Sequence, residues 1–350
     1  MRSVAAIHTQ HGAPLAVDEI EIPDPRPDQV IVKLFSSGIC HSQLHQMRNP
    51  ATETPASLGH EGAGVVTHVG SDVTHVKEGD HAIVTWVPRT PLRGRHPGPP
   101  TGVTYREEPV NGAVYTWGRD VLTSEQLVVP IPKSAPTDLA SIVGCAVLTG
   151  AGAVMHTANV RPGDSVAIIG VGGVGISAVH MASLLNAYPL IAIDLDDEKL
   201  EYARRMGATH TVNASNVDPI EAVLEISGGG VDYAFDAIGL QITNEQILPM
   251  TRGGGSGADN HGGMAVLIGV PGERMTINPR LFFSGQRQYR GSLGATRPEE
   301  DFPMYLRWHE EGKFRLDEMV TRRYRIEEIN EACDDLTSGL ITGRAIIDYT

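Results

Sequence analysis

The chain has 350 residues, with 41% hydrophobic residues and 39 glycines, which is enough for two domains of ordinary size. Its net charge of -14 argues against nucleic acid or an anionic membrane as a partner, because like charges repel. With no apolar run long enough to cross a bilayer and no secretory signal pattern, the expected location is cytoplasmic. Cys40, Cys145 and Cys333 are too few and too scattered for a disulfide framework, so they are free thiols or metal ligands.

Three regions of different texture follow one another along the chain. Up to about residue 148, short β-rich runs such as VIVKLFSSG and DHAIVTWV are broken by Gly and Pro, which is typical of an irregular antiparallel β domain. The strand-like runs DSVAIIG, PLIAID and VDYAFDAIG then alternate with helical runs, which predicts a parallel sheet. The last region ends on the strand-like RAIIDYT. The sequence therefore predicts an α/β protein with a β-rich domain at 1–147 and 294–350, and a doubly wound domain at 148–293.

The glycine-rich run GVGGVG follows an apolar strand and opens a helix, and an aspartate ends the next strand. This context is typical of dinucleotide binding, because glycines permit a tight turn and close approach of the backbone to a pyrophosphate at the helix N-terminus. The aspartate would accept hydrogen bonds from the adenosine ribose and repel a 2′-phosphate, which favours NAD over NADP. The residues expected to bind the dinucleotide are Gly170, Gly172, Gly173, Val174, Gly175 and Asp194.

Potential metal ligands lie on separate turns of the first region. CHSQLH begins at Cys40, GHEG contains His60 and Glu61, and GCAVLTG contains Cys145. Two cysteines and a histidine that converge would form a zinc site with an open fourth position, which is the catalytic form. The alternative is that the cysteines are buried as small apolar residues and the histidine is solvated. The residue types and spacing by themselves leave both interpretations open.

Several motifs taken together carry a resemblance to a known family over nearly the whole chain. They are GICHSQLH (38–45), GHEGAGVV (59–66), VGSDVTHVKEGD (69–80), GCAVLTG (144–150), GVGGVG (170–175), IGVPGE (268–273) and TGRAII (342–347). The sequence resembles the zinc-dependent alcohol dehydrogenases of the medium-chain dehydrogenase/reductase superfamily. The resemblance implies a GroES-like catalytic domain, a Rossmann domain, reversible NAD-dependent oxidation of an alcohol to an aldehyde or ketone, and a homodimer or homotetramer.

The resemblance also implies a role for individual residues. Cys40, His60 and Cys145 would hold the catalytic zinc, and Glu61 would approach it transiently. Ser42 would bond the substrate hydroxyl, and His45 would pass its proton to solvent. The residues implied near the cofactor, beyond the glycine-rich motif, are His41, Thr149, Lys199, Ile268, Val270, Leu293 and Arg344. Trp86 would line the substrate pocket with Trp117 as a less certain second wall, the alternative being that either tryptophan is simply part of the core.

Two departures from the family pattern have consequences. Gln43 stands where many relatives have an aspartate that orients the ligand histidine; its amide oxygen can still accept the imidazole N–H but carries no charge. The lobe of four closely spaced cysteines is replaced by an Arg- and Pro-rich segment at 88–109, so we expect one catalytic zinc per chain and no structural zinc.

The arginines of the 88–109 segment either recognise an anionic group on the substrate or belong to a surface loop. They are Arg89, Arg93, Arg95 and Arg106.

Two other functions are compatible with a dinucleotide fingerprint. One is a zinc-free quinone or enoyl reductase of the same superfamily, against which the three intact candidate ligands count. The other is a non-catalytic dinucleotide-binding protein, in which a Ser42–His45 proton relay would have no purpose.

Overall fold

The computed structural model describes residues 1–92, 97–98, 102–112 and 114–350. These residues form two compact units, unit 1 (Met1–Cys145 with Arg297–Thr350) and unit 2 (Ala146–Thr296). The first boundary lies two residues before the expected one and the second lies three residues after it. No helix in the described ranges is long and apolar enough to span a membrane.

The strands in chain order are β1 (Arg2–His8), β2 (Ala16–Glu21), β3 (Gln29–Ile39), β4 (Ala56–Ser57), β5 (Gly62–Val69), β6 (His81–Val84), β7 (Thr104–Tyr105), β8 (Glu108–Pro109), β9 (Asp120–Ser124), β10 (Val128–Ile131), β11 (Val166–Ile169), β12 (Leu190–Asp194), β13 (His210–Asn213), β14 (Tyr233–Asp236), β15 (Met264–Leu267), β16 (Gln288–Gly291), β17 (Val320–Tyr324) and β18 (Arg344–Asp348).

The α-helices are α1 (His41–Arg48), α2 (Ala146–Gly152), α3 (Gly173–Leu184), α4 (Asp197–Arg205), α5 (Pro219–Ser227), α6 (Gln241–Gln246), α7 (Arg280–Phe283), α8 (Pro298–Glu310), α9 (Leu316–Met319) and α10 (Ile329–Thr337). Short 3₁₀ turns cover Glu125–Leu127, Ala140–Gly144 and Ile326–Glu328, and a π-helical turn, Ala153–Ala158, follows α2 directly.

The described residues of unit 1 form two sheets. The first has the order β4-β1-β2-β7-β8, and the second has the order β10-β6-β5-β3-β18-β17, with β9 also paired to β3. β3 is central and nearly all of its residues are buried, which explains its almost continuous apolar run. β18 pairs antiparallel with β3 so that Ala345 lies opposite Ile39. This pairing brings the C-terminal segment beside the residue that precedes Cys40.

Unit 2 is a doubly wound domain built on one parallel sheet of six strands. The strand order is β13-β12-β11-β14-β15-β16, so the sheet grows in both directions from β11. The strand VAII of β11 is fully buried, as expected for a strand covered on both faces. Ligands of such sheets bind beyond the carboxyl ends of the strands where the order reverses, and here that point lies between β11 and β14. The predicted α/β class, with a β-rich domain and a Rossmann domain, is confirmed.

Candidate active site

The structure brings the predicted metal ligands of unit 1 together. One ligand atom from each of Cys40, His60, Glu61 and Cys145 lies within 4.8 Å of the others. Cys145 and Glu61 are buried, whereas His60 retains some exposed surface. Two sulfur atoms, an imidazole nitrogen and a carboxylate at such spacing form a donor set suited to zinc.

Backbone pairing between neighbouring strands assembles this cluster from distant parts of the chain. Cys40 follows the last residue of β3, and Glu61 precedes the first residue of β5; these strands are antiparallel neighbours. The Gly38 N–H donates to the Glu61 carbonyl at 2.9 Å. A Cβ atom at Gly38 would lie only 2.3 Å from Cδ of Glu61, so the glutamate side chain occupies space that only glycine leaves open. Gly38 was not singled out from the sequence, where a glycine inside a strand was the only signal.

Gln43 connects two of the candidate ligands. Its side chain is fully buried; the Cys40 N–H donates to its Oε1 at 3.2 Å, and its Nε2 lies 2.5 Å from Nδ1 of His60. The other imidazole nitrogen, Nε2, lies 3.1 Å from Sγ of Cys145. The ring is thus held with Nε2 facing the thiols, but the amide nitrogen of Gln43, not the expected amide oxygen, faces Nδ1. A metal on Nε2 requires the proton on Nδ1, so the amide has to present its oxygen there when zinc is bound.

A buried ion pair lies beside the ligands. A guanidinium N–H of Arg344 donates to the carboxylate of Glu61, and both side chains are almost completely buried. Burial lowers the pKa of Arg344, but Glu61 and the two cysteines outweigh it, so the pKa lies above its usual value. The resemblance implies that Arg344 also lies near the pyrophosphate; its Nε has no partner in the part of the chain that the structure describes.

The two thiols of the cluster influence each other's ionisation. A hydrogen bond from Cys145 lowers the pKa of Cys40 well below its usual value, and the nearby Arg344 cation acts in the same direction. The same hydrogen bond and burial raise the pKa of Cys145. One sulfur of the pair is therefore poised to be a thiolate, which is the form that binds metals.

Helix α1 carries the two residues implied in proton transfer. Ser42 is half-buried, and its Oγ is buried without a hydrogen-bond partner among the described residues. His45 lies three positions later and is exposed, so both side chains project from the same side of the helix. His41, implied near the pyrophosphate, is exposed at the first position of the same helix.

The two tryptophans predicted to line the substrate pocket have different environments. The ring of Trp86 lies 6.3 Å from that of His60 in an edge-on arrangement, so this indole borders the metal cluster. Its Nε1 is buried without a partner among residues 1–92, 97–98, 102–112 and 114–350. Trp117 belongs to a hydrophobic core cluster with 0% exposure, and its Nε1 donates to the Gly38 carbonyl. With no accessible surface, Trp117 is placed as a core residue, which favours the core alternative for this tryptophan.

The glycine-rich turn of unit 2 shows the features expected from the sequence. Gly170 has φ = +83°, in the region that favours glycine. A Cβ at Gly175 would lie 1.7 Å from the Gly170 carbonyl oxygen, so only glycine lets α3 pack this closely. At Gly172, the residue before α3, a Cβ would meet nothing within 4 Å, which leaves open space at the helix N-terminus. Gly173 and Val174 form the first turn of α3, where unpaired N–H groups attract an anion.

Other predicted cofactor residues of unit 2 lie at the carboxyl ends of its parallel strands. Asp194 ends β12, and its carboxylate accepts the N–H of Val171 at 2.9 Å, which ties it to the glycine-rich turn. Ile268 and Val270 follow β15, and Leu293 follows β16; Val270 and Leu293 are 59% and 82% exposed. Exposed apolar side chains at this edge are available to a ligand.

Two further residues of unit 2 lie on helices. Thr149 on α2 has a buried Oγ1 without a partner among the described residues, and Lys199 on α4 is half-buried. The sequence did not single out Ile238, whose side chain lies 2.4 Å from where a Cβ of Gly170 would be. Only the turn after β14 places this residue against the glycine-rich motif.

The arginines of the 88–109 segment divide into described and undescribed ones. Arg89 pairs with Glu125 and Glu299, and Arg106 pairs with Asp18. Arg93 and Arg95 lie outside the described residues. Both described guanidinium groups are therefore engaged by carboxylates of the same chain.

Comparison with known proteins agrees with this geometry. Residues 26–133 match the alcohol dehydrogenase GroES-like domain family, and residues 173–311 match the zinc-binding dehydrogenase family. An S-(hydroxymethyl)glutathione dehydrogenase of Escherichia coli O1:K1 / APEC is 33% identical, with both chains covered completely.

Solved structures show the same architecture. An alcohol dehydrogenase zinc-binding domain protein from Burkholderia ambifaria has a TM-score of 0.89 at 30% identity, with 99% of each chain covered. Benzyl alcohol dehydrogenase from Acinetobacter calcoaceticus has a TM-score of 0.88 at 27% identity, with 100% of each chain covered. Together with the cluster and the glycine-rich turn, these similarities show that the chain is an enzyme that belongs to the zinc-dependent alcohol dehydrogenases of the medium-chain dehydrogenase/reductase superfamily.

Proposed function

We propose that this enzyme transfers hydride reversibly between an alcohol and NAD with one catalytic zinc per chain, giving an aldehyde or ketone. The observation that carries the proposal is the convergence of Cys40, His60 and Cys145, with Glu61, within 4.8 Å. Three protein ligands and one open position are typical of catalytic zinc.

The side chains present fit a zinc ion. Cys40 and Cys145 supply sulfur, His60 presents Nε2 toward Cys145, and Gln43 fixes the ring from behind. Zinc held by these residues would act as a Lewis acid that makes an alcohol hydroxyl acidic near neutral pH. Arg344 neutralises Glu61 and so limits the negative charge that surrounds the ligands.

The proton of the substrate hydroxyl needs a path to solvent. The hydroxyl of Ser42, which has no partner among the described residues, can accept that proton while donating its own. His45, exposed one helical turn later, can pass a proton to water because an imidazole ring can both accept and donate a proton. Ser42 and His45 thus supply the two ends of a relay.

NAD is the cofactor that the described residues of unit 2 favour. The open space at Gly172 and the N-terminus of α3 suit a pyrophosphate. The carboxylate of Asp194 suits ribose hydroxyls and disfavours a 2′-phosphate. The buried hydroxyl of Thr149 has no partner in the part of the chain that the structure describes, and the resemblance implies that it contacts the nicotinamide end.

A hydrophobic alcohol is the substrate class that unit 1 favours. Trp86 presents an aromatic face beside His60, which suits an apolar or aromatic substrate. The relatives that are S-(hydroxymethyl)glutathione dehydrogenases act on a substrate with carboxylates, and Arg89 and Arg106 already pair with acids of this chain. We therefore expect benzyl alcohol to be a better substrate than S-(hydroxymethyl)glutathione.

The test combines metal analysis with turnover. Protein purified without added metal is expected to contain about one zinc per chain and to form NADH with benzyl alcohol. Zinc near zero that added zinc does not restore, with no NADH formed, would overturn the proposal and favour the zinc-free reductase. Bound zinc and NAD without turnover on a broad panel of alcohols would instead favour a non-catalytic dinucleotide-binding protein.

A homodimer formed through unit 2 is part of the same proposal. β16 is an edge strand of the parallel sheet, and Met275, Phe282 and Phe283 lie exposed in the preceding segment, Phe283 at 89%. A bare strand edge beside exposed apolar side chains favours pairing with a second copy. Light scattering of Phe283→Asp should give a smaller mass than the wild type; an unchanged mass would contradict this interface.

A further inference from the structure

The segment between β6 and residue 90 passes directly beside the metal cluster. Thr85 is fully buried; its N–H donates to the Leu127 carbonyl at 3.0 Å, and its Oγ1 donates to the Gly144 carbonyl at 2.7 Å. Gly144 immediately precedes Cys145, and Trp86 immediately follows Thr85. One end of the segment is thus bonded to the backbone that carries a candidate metal ligand.

The other end of the segment is held by Arg89. Its backbone N–H donates to the Gln126 carbonyl at 2.7 Å. Its guanidinium donates to Glu125 at 3.1 Å through Nη2 and to Glu299 at 2.5 Å through Nη1. The side chain is only 15% exposed, so solvent screens these bonds less than it screens an ordinary surface pair.

A fourth residue completes what we call the Arg89 cluster, formed by His75, Arg89, Glu125 and Glu299. Nδ1 of His75 lies 3.1 Å from the same Glu125 oxygen that Arg89 contacts. Burial lowers the pKa of Arg89, but Glu299 and Glu125 together outweigh it, so the pKa lies above its usual value. The guanidinium joins its own segment to Glu125 and to the first turn of α8, and His75 adds a fourth segment through Glu125.

The contacts of this segment suggest a reason for holding it at both ends. Trp86, which lies between Thr85 and Arg89, borders the metal cluster with its ring 6.3 Å from that of His60. A planar guanidinium that bridges two carboxylates fixes direction as well as distance, which a flexible surface contact does not do. Arg89, anchored in this way, lies three places further along the chain than the indole.

We propose that Arg89 is a positioning residue that fixes Trp86 beside the metal site and thereby sets the enzyme's preference for bulky alcohols. This inference rests on the proposed function for its effect on substrates, but the placement of the indole can be measured without turnover. Arg89 touches neither the ligand cluster nor, on this proposal, the substrate; it acts through Trp86.

The experiment compares Arg89→Met and Arg89→Lys with the control Arg106→Met. Arg106 also lies in the Arg- and Pro-rich segment at 88–109, but its side chain is 74% exposed and pairs with Asp18. Arg89→Met is expected to raise KM for benzyl alcohol about tenfold, with kcat, KM for ethanol and zinc content nearly unchanged. Arg89→Lys should fall between, since an ammonium cannot bridge both carboxylates in the same plane. Arg106→Met should match the wild type.

A second measurement follows the indole itself. The emission of Trp86, taken as the difference between each protein and its Trp86→Phe derivative, should be quenched more by acrylamide in Arg89→Met. If KM for benzyl alcohol and the quenching of Trp86 in Arg89→Met equal those of Arg106→Met, the positioning role is wrong. If the wild type oxidises no alcohol, the proposed function fails, and the quenching comparison still decides whether Arg89 positions Trp86.

A variant at the partly exposed partner protects the test against misfolding. Glu299→Gln removes one of the two carboxylate contacts at a side chain that is 47% exposed. It should shift both measurements in the same direction as Arg89→Met but by less. A folded Glu299→Gln and Arg89→Lys that both behave as the wild type would overturn the proposal even if Arg89→Met does not fold.

Discussion

In unit 2 the residues expected to bind the dinucleotide come from one contiguous glycine-rich motif and from the carboxyl ends of neighbouring parallel strands. In unit 1 the four ligand atoms come from three places, residues 40, 60–61 and 145, that only the pairing of β3 with β5 and the 3₁₀ turn at Ala140–Gly144 bring together. A local motif keeps its meaning in isolation, whereas a cluster of this kind acquires meaning only when the sheet forms. A substitution that abolishes binding at one of the two sites should therefore leave binding at the other unchanged.

The largest expected effect separates the two units completely. Cys145→Ala should reduce zinc to near zero and lower kcat/KM by about 10³-fold or more, because the metal contributes several kcal/mol to transition-state stabilisation. NAD binding, measured by protein fluorescence, should persist because its residues belong to unit 2. Cys333→Ala, at a buried cysteine outside the cluster, is the control for loss of a thiol. Retention of zinc in Cys145→Ala would contradict the ligand assignment.

The next effect tests how unit 1 orients its histidine ligand. Gln43→Ala removes the amide that contacts both the Cys40 N–H and Nδ1 of His60, so zinc affinity should fall by about 10- to 100-fold. Competition with a chelator measures this affinity without turnover. Gln43→Asp should retain most of it, because a carboxylate accepts the imidazole N–H. Gln46→Ala, on the exposed side of the same helix, should leave zinc affinity unchanged. If Gln46→Ala lowers zinc affinity as much as Gln43→Ala does, the loss comes from disturbing helix α1 and not from the contact with His60.

A smaller effect is expected at Asp194, the acid of unit 2 that is predicted to bind the adenosine ribose. Asp194→Asn should weaken NAD binding by about tenfold and reduce the ratio of NAD affinity to NADP affinity, because it removes the negative charge that repels a 2′-phosphate. The asparagine still offers an acceptor for the Val171 N–H, so the glycine-rich turn should keep its position. Zinc content should not change. Calorimetric titration with both nucleotides measures the ratio, and the exposed Asp197→Asn on α4 is the control. An unchanged NAD to NADP ratio would remove Asp194 from the cofactor site.

The smallest effect concerns the dependence of unit 1 on pH. His8 is 1% exposed and neither ring nitrogen has a partner among the described residues, so burial, with a contribution from His11, lowers its pKa. The unfolded chain then binds more protons than the folded one as pH falls through about 6.5, so acid destabilises the fold. Unfolding midpoints in urea should drop less on acidification for His8→Gln than for the wild type. Equal drops would show that His8 contributes nothing to acid sensitivity.

Residues and spacing alone determined the α/β class, the change from a β-rich region to a βαβ region, and the glycine-rich turn, because hydrophobic periodicity and glycine placement act over short stretches. Joint resemblance across distant motifs supplied the zinc ligands, which spacing alone had left open. A glycine inside a strand was the only signal at Gly38, and Ile238 gave none, since the importance of both lies in what approaches them from a neighbouring strand or turn.

Only the tertiary structure distinguished alternatives that the sequence left open. Trp86 and Trp117 are the same residue type in similar apolar surroundings, yet one borders His60 and the other is sealed in the core. Arg89 stands in a segment that predicts a surface loop, but its partners lie 36 and 210 residues away. Burial and long-range charge pairing depend on which strands meet, and that choice is made by the whole fold rather than by any segment of it.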